Sequence, residues 1–139
     1  MIDIPNEEHV TRFCPKYTLD EYGIPTGDAF KLRKDETYIS VDWYEFFIDK
    51  NNKIQDIQIF SLIKEAMIKR NFTPAKNGIF SFHSVGVIKT KEYKNINFEV
   101  KNIDKTNSHS GIFPNPTSLY QSEMIAETVK KIIPLDNLK

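Results

Sequence analysis

Thr37-Tyr38-Ile39-Ser40-Val41-Asp42-Trp43 is the stretch on which the fold turns. Apolar and polar residues alternate along it, which is the period of a strand and not of a helix. Read as a strand, it puts Thr37, Ile39, Val41 and Trp43 on one face and Tyr38, Ser40 and Asp42 on the other. Upstream, Ala29-Phe30-Lys31-Leu32-Arg33 alternates as well, and Lys34-Asp35-Glu36 between the two runs is a polar turn. Together they predict a β-hairpin. Tyr44-Glu45-Phe46-Phe47-Ile48 extends the apolar run as strand or short helix, and 49–53 is a polar connection.

C-terminal to the hairpin, Ile54 to Arg70 has apolar residues at spacings of three and four with no Gly or Pro, which predicts a helix closed by Asn71. Ile79 to Ile88 reads as a long strand with a bulge at Gly86. Ile96, Phe98 and Val100 alternate with polar residues and predict another strand. Asp104 to Ser118 is polar and without periodicity, so a long loop is expected, of the kind that often carries function. Leu119 to Ile133 predicts a second helix, with Ser118 and Gln121 as a capping box. N-terminal to the hairpin, residues 1–27 are broken by Pro5, Pro15, Gly23, Pro25 and Gly27. They predict an irregular segment with one short helical turn near Glu7 to Phe13. Residues 134–139 are expected to fray. The whole reads as one α+β domain spanning 1–139. Its sheet is mainly antiparallel with about four strands, and two main helices pack on one face.

The 139 residues are 40% hydrophobic, enough to build a core and to exclude global disorder. Nineteen basic residues balance nineteen acidic ones. Binding to nucleic acid through bulk charge is therefore not expected. No apolar run is long enough to cross a membrane. Cys14 is the only cysteine, so neither an internal disulfide nor a Cys-based zinc site is available. The N-terminus lacks a basic region followed by an apolar one, and a cytoplasmic setting is expected. No metal motif, phosphate loop or nucleophile elbow is present, and neither a metal nor a cofactor is expected.

Candidate chemistry gathers in four places. In Asn107-Ser108-His109-Ser110-Gly111-Ile112 an imidazole that titrates near neutrality is flanked by hydroxyls, and Gly111 offers close approach to the backbone. The helix start that follows offers free N–H groups to an anion. The bland alternative is a loop whose Ser and Asn side chains bond their own backbone. Arg33, with Glu36, Ser40, Asp42 and Trp43, marks the hairpin as either a polar pocket or an ordinary wet face. Glu7, Glu8, His9 and Arg12 suit a salt-bridged surface turn. Only three of the cations are arginines, Arg12, Arg33 and Arg70, the side chain that grips an anion as a planar fork. His83-Ser84 and His109-Ser110 are similar in pattern to the paired His-x-Thr/Ser motifs of two-histidine phosphoesterases. The short separation and Gly111 in place of a hydroxyl depart from that family. Seventeen aromatic residues are more than one small core holds, so some are expected at the surface, where they serve partner contacts.

Ala29-Phe30-Lys31-Leu32-Arg33 with Ser40-Val41-Asp42-Trp43, and Ser108-His109-Ser110-Gly111-Ile112, resemble paired segments of a set of short uncharacterised bacterial proteins. The resemblance covers about a fifth of the chain. It implies a bacterial, cytoplasmic setting and weight on Arg33, Trp43, His109 and Gly111, and it carries no activity. Two functions follow as expectations. One is a small accessory protein that binds another protein, in a defence or toxin–antitoxin type of system. The other is a small phosphoester- or nucleotide-processing enzyme. In it His109 is acid or base, Arg33 or Arg12 holds the anion, and Trp43, Ser108, Ser110 and Gly111 line the site.

Overall fold

The computed structural model describes residues 1–48 and 54–138, so the expected connection at 49–53 lies outside the described residues. Among the described residues, nine strands and three α-helices follow one another. They are β1 (Ile2–Asp3), β2 (His9–Cys14), β3 (Ile39–Trp43), α1 (Asp56–Lys69), β4 (Ile79–Ser84) and α2 (Val85–Thr90). Next come β5 (Glu92–Tyr93), β6 (Ile96–Asn97), β7 (Glu99–Asn102), β8 (His109–Phe113), α3 (Leu119–Ala126) and β9 (Val129–Pro134). Seven strands form one antiparallel sheet in the order β1-β7-β8-β3-β2-β4-β9, and β5 pairs with β6 apart from it. The class is α+β, but the expectation of about four strands is wrong.

The missing strands were hidden by three misread periodicities. β2 lies in the segment expected to be irregular, where a helical turn was predicted. It pairs with β3 on one edge and β4 on the other, and its two faces pack on separate cores, so the alternation of polar and apolar residues is lost. β8 lies inside the expected loop, because its centre is Ser110 and Gly111, residues that give no apolar signal. The predicted helix to Ile133 ends at Ala126, and Val129–Pro134 pairs with β4. Ile132 and Ile133 then pack on different cores, which adjacent residues of a strand do and those of a helix face do not. Two smaller expectations also fall. Residues 29–33 form a 3₁₀ turn and loop instead of the first arm of a hairpin, and 85–90 form α2 instead of continuing a strand. Within the expected frayed tail, residues 134–138 are ordered against the core, with Leu135 and Leu138 buried.

The sheet separates two cores. Val10 and Cys14 of β2 pack with Ile39, Val41, Ile88 and Ile125 on one face. Phe13, on the opposite face of the same strand, packs with Phe80, Phe82 and the α1 residues Ile59, Phe60, Ile63 and Met67. The helices thus lie on both faces, not on one. α1 starts with the Gln58 side chain accepting from the Gln55 N–H at 3.1 Å. It stops at Asn71, whose φ of 65° is left-handed. That stop makes Arg70 the residue that caps the helix, within reach of Asp42 on β3.

Candidate functional site

The site is built from Glu36 outward. Its carboxylate accepts from the backbone N–H groups of Arg33 (2.6 Å) and Ser40 (3.2 Å), which fixes the turn between the Gly27–Phe30 segment and β3. The Arg12 guanidinium donates to the same carboxylate at 3.1 and 3.2 Å. Burial alone would raise the pKa of Glu36, but the bonds and charge of Arg12 outweigh it and hold the carboxyl below its ordinary value. The anchored turn places the Arg33 side chain against the rings of Phe13 and Phe72, 5.8 and 5.0 Å from their centroids. One of its N–H groups donates to the Phe13 carbonyl. Burial, and then the neighbouring Arg12 charge, pull the Arg33 pKa down to about 10, so it stays a cation at neutral pH.

The opposite wall comes from β3, β8 and the end of α1. Asp42 pairs with His109 across the sheet, and Ser40 with Gly111. Asp42 is fully buried and takes a bidentate pair from Arg70 at 2.9 and 3.0 Å, with the Ser108 hydroxyl donating at 2.7 Å. The carboxylate therefore fixes the Arg70 fork at the cavity edge. His109 is half-buried beside the Tyr38 ring, with Nε2 3.4 Å from Ser40 Oγ. Burial, followed by the Arg70 charge, lowers its pKa, so the imidazole is neutral at pH 7. Arg33, Lys34, Glu36, Ser40, Asp42, Arg70 and His109, with Met67 and Phe72, line a cavity of about 230 Å³.

Of the residues expected at the site, Arg33 and His109 meet in this cavity, and Ser108 reaches it only through Asp42. Arg12 does not. It is fully buried in the opposite core, and its guanidinium donates to Glu36 and to the carbonyls of Ala29, Lys31 and Ser40 at 2.7 to 3.2 Å, leaving no donor for a ligand. Trp43 lies on the other face of β3 and donates to Glu8 at 2.7 Å. Ser110 is buried there as well, bonded to the Ser108 carbonyl. Gly111 does not admit a ligand. A Cβ there would lie 2.6 Å from the Tyr38 ring and 2.9 Å from Phe113, so its missing side chain makes room for those two rings. The N-terminus of α3 is already capped by Ser118 and by the Gln121 side chain.

His83 and His109 are on opposite faces and form no pair. His83 is buried between the Ser81 and Thr128 hydroxyls, 2.7 Å from each. His9 is bonded through Nδ1 to Glu45 at 2.6 Å, and no cluster of three metal-ligating side chains occurs among the described residues. Arg70 and Phe72 were not singled out as site residues. The rarity of arginine in this chain was the only signal that pointed to Arg70. No helix among the described residues is long and apolar enough to cross a membrane. Comparison with known proteins returns no match: no family model fits the chain, and no curated protein or solved structure aligns with it closely.

Proposed function

We propose that this chain binds a small anion, of the phosphoester or nucleotide class, in the cavity between Arg33 and His109. The observation that carries the reading is the convergence of Arg33, Arg70 and His109, from three separate elements, on one concave space. Asp42 and Glu36 are each neutralised by an arginine, whereas Arg33 and Lys34 have no carboxylate partner among the described residues, so the space is net cationic. The neutral imidazole of His109 is the group able to take a proton from whatever is held there, the role of a general base. Titration calorimetry with inorganic phosphate tests the reading. Binding should occur, and Arg33→Ala should weaken it roughly tenfold, the worth of one hydrogen bond to a charged group. Equal affinity in the variant contradicts it.

Partner binding is the second reading. Most of the aromatic surplus is spent on the two cores, which narrows its support chiefly to the exposed rings of Tyr17, Tyr22 and Tyr120, at 84%, 80% and 61%. Under this reading the chain co-elutes with the product of a neighbouring gene, and Tyr22→Ser with Tyr120→Ser abolishes the co-elution while phosphate binding is unchanged.

A further inference from the structure

Two cavities meet at Arg33. The first is the space lined by Arg70 and His109. The second, of about 620 Å³, is bounded by Pro15, Tyr17, Lys31 and Leu32, and Arg33, Lys34 and Phe72 belong to both. Size separates their roles. Sites for organic ligands run to roughly 300–1,000 Å³. At about 230 Å³ the first cavity has room for a compact anionic group and not for the body that carries it. The adjoining space supplies that room.

Charge fixes the orientation. In the larger cavity Lys31 is paired with Asp28 at 2.8 Å and Arg12 with Glu36 at 3.1 Å. The cations without such partners, Arg33 and Lys34, stand at the junction. The charged end of a ligand belongs at the junction, and its uncharged end reaches toward Tyr17.

Tyr17 is 84% exposed, on a turn whose backbone is hydrogen-bonded. It sits in the 3₁₀ turn Lys16–Thr18, where the Thr18 N–H and hydroxyl donate to the Pro15 carbonyl at 2.9 and 2.6 Å, and the Thr26 N–H donates to the Thr18 carbonyl at 3.0 Å. An exposed ring on a hydrogen-bonded turn, lining the same cavity as two unpaired cations, is an arrangement on which a nucleobase stacks. We infer that the ligand is a nucleoside monophosphate, with its phosphate at Arg33 and Lys34 and its base on the Tyr17 ring. This rests on the anion-binding reading and adds the base to it.

Calorimetric titration with adenosine 5′-monophosphate, ribose 5-phosphate and inorganic phosphate separates the two claims. The nucleotide should bind at least tenfold tighter than ribose 5-phosphate, in line with the worth of one stacked base. Tyr17→Ala should remove that advantage and leave phosphate affinity unchanged, while Tyr17→Phe keeps it. Equal affinities for the nucleotide and ribose 5-phosphate, or an advantage that survives Tyr17→Ala, overturn the nucleotide assignment. If phosphate binding still depends on Arg33 in that case, the anion site stands. Failure of all three compounds to bind contradicts both.

Discussion

Arg12 and Arg33 are the same side chain in opposite circumstances. Arg12 has spent every donor on the protein, and its charge is matched inside the fold by Glu36. Arg12→Ala leaves a partly buried carboxylate and three carbonyls without their partner. It should cost about 3 kcal/mol or more in a urea unfolding experiment, the loss expected when one member of a buried pair is removed. Arg33→Ala removes a guanidinium that faces a cavity and should cost far less stability while weakening anion binding. A reversed ranking in unfolding would mean that the roles of the two arginines have been exchanged. His83 makes a separate prediction. Burial, and then the Arg12 charge, pull its pKa down to about 3, against the ordinary histidine value of about 6.5 in the unfolded chain. Between those values the unfolded chain holds the extra proton. The contribution to stability is therefore complete above the unfolded value and is lost as pH falls through the window. From pH 7 to pH 5 this residue alone should remove about 2 kcal/mol. His83→Gln should flatten the pH dependence, and an unchanged slope in that variant would contradict the assignment.

Among the elements, β8 joins the fold to the site. It runs between β7 and β3, places His109 opposite Asp42, and keeps Gly111 under the rings of Tyr38 and Phe113. Gly111→Ala puts a methyl group into those rings and should destabilise the protein by ~1–3 kcal/mol in thermal or urea unfolding, the usual cost of overpacking. A neutral effect would show that the two rings give way freely. The same strand marks the boundary of what the chain made legible. The alternation at 37–43 correctly placed Ser40 and Asp42 on one face and Trp43 on the other, and the spacing at 54–70 gave α1 to within two residues at each end. Both elements have one covered face and one freer one, so their period survives in the residue types. β2 and β8 do not. They are interior strands that bury polar residues, Thr11 and Arg12 on the two faces of β2 and Ser110 on one face of β8, and these bond to partners such as Ser81, Ala29 and Asn102 that lie on other segments. Arg33 and His109 were visible as unusual residues in unusual settings. Arg70 was not, because only the end point of α1 brings it to Asp42.

At the scale of the whole molecule, the position of the site follows from uneven cover on the sheet. One face is packed by Ile88 of α2 and Met124 and Ile125 of α3. On the other, α1 covers Phe13, Phe80 and Phe82 and leaves Ser40, Asp42 and His109 beside Arg70, which caps its C-terminus, where the cavity forms. The chain is neutral overall, so its attraction for anions is local to the Arg33–Lys34 turn and not a property of the surface. Duplex DNA should accordingly show no salt-dependent retardation in a gel-shift series, and a clear one would reveal a basic groove that this charge distribution does not provide. The central claim, that Arg33 and His109 border a real anion site, is tested most directly by a two-dimensional amide NMR titration of the full chain with inorganic phosphate. The account predicts saturable shifts concentrated at Arg33, Lys34, Ser40, Arg70 and His109, and lost in Arg33→Ala. Shifts scattered over the lysines of the surface, or none at all, would contradict it.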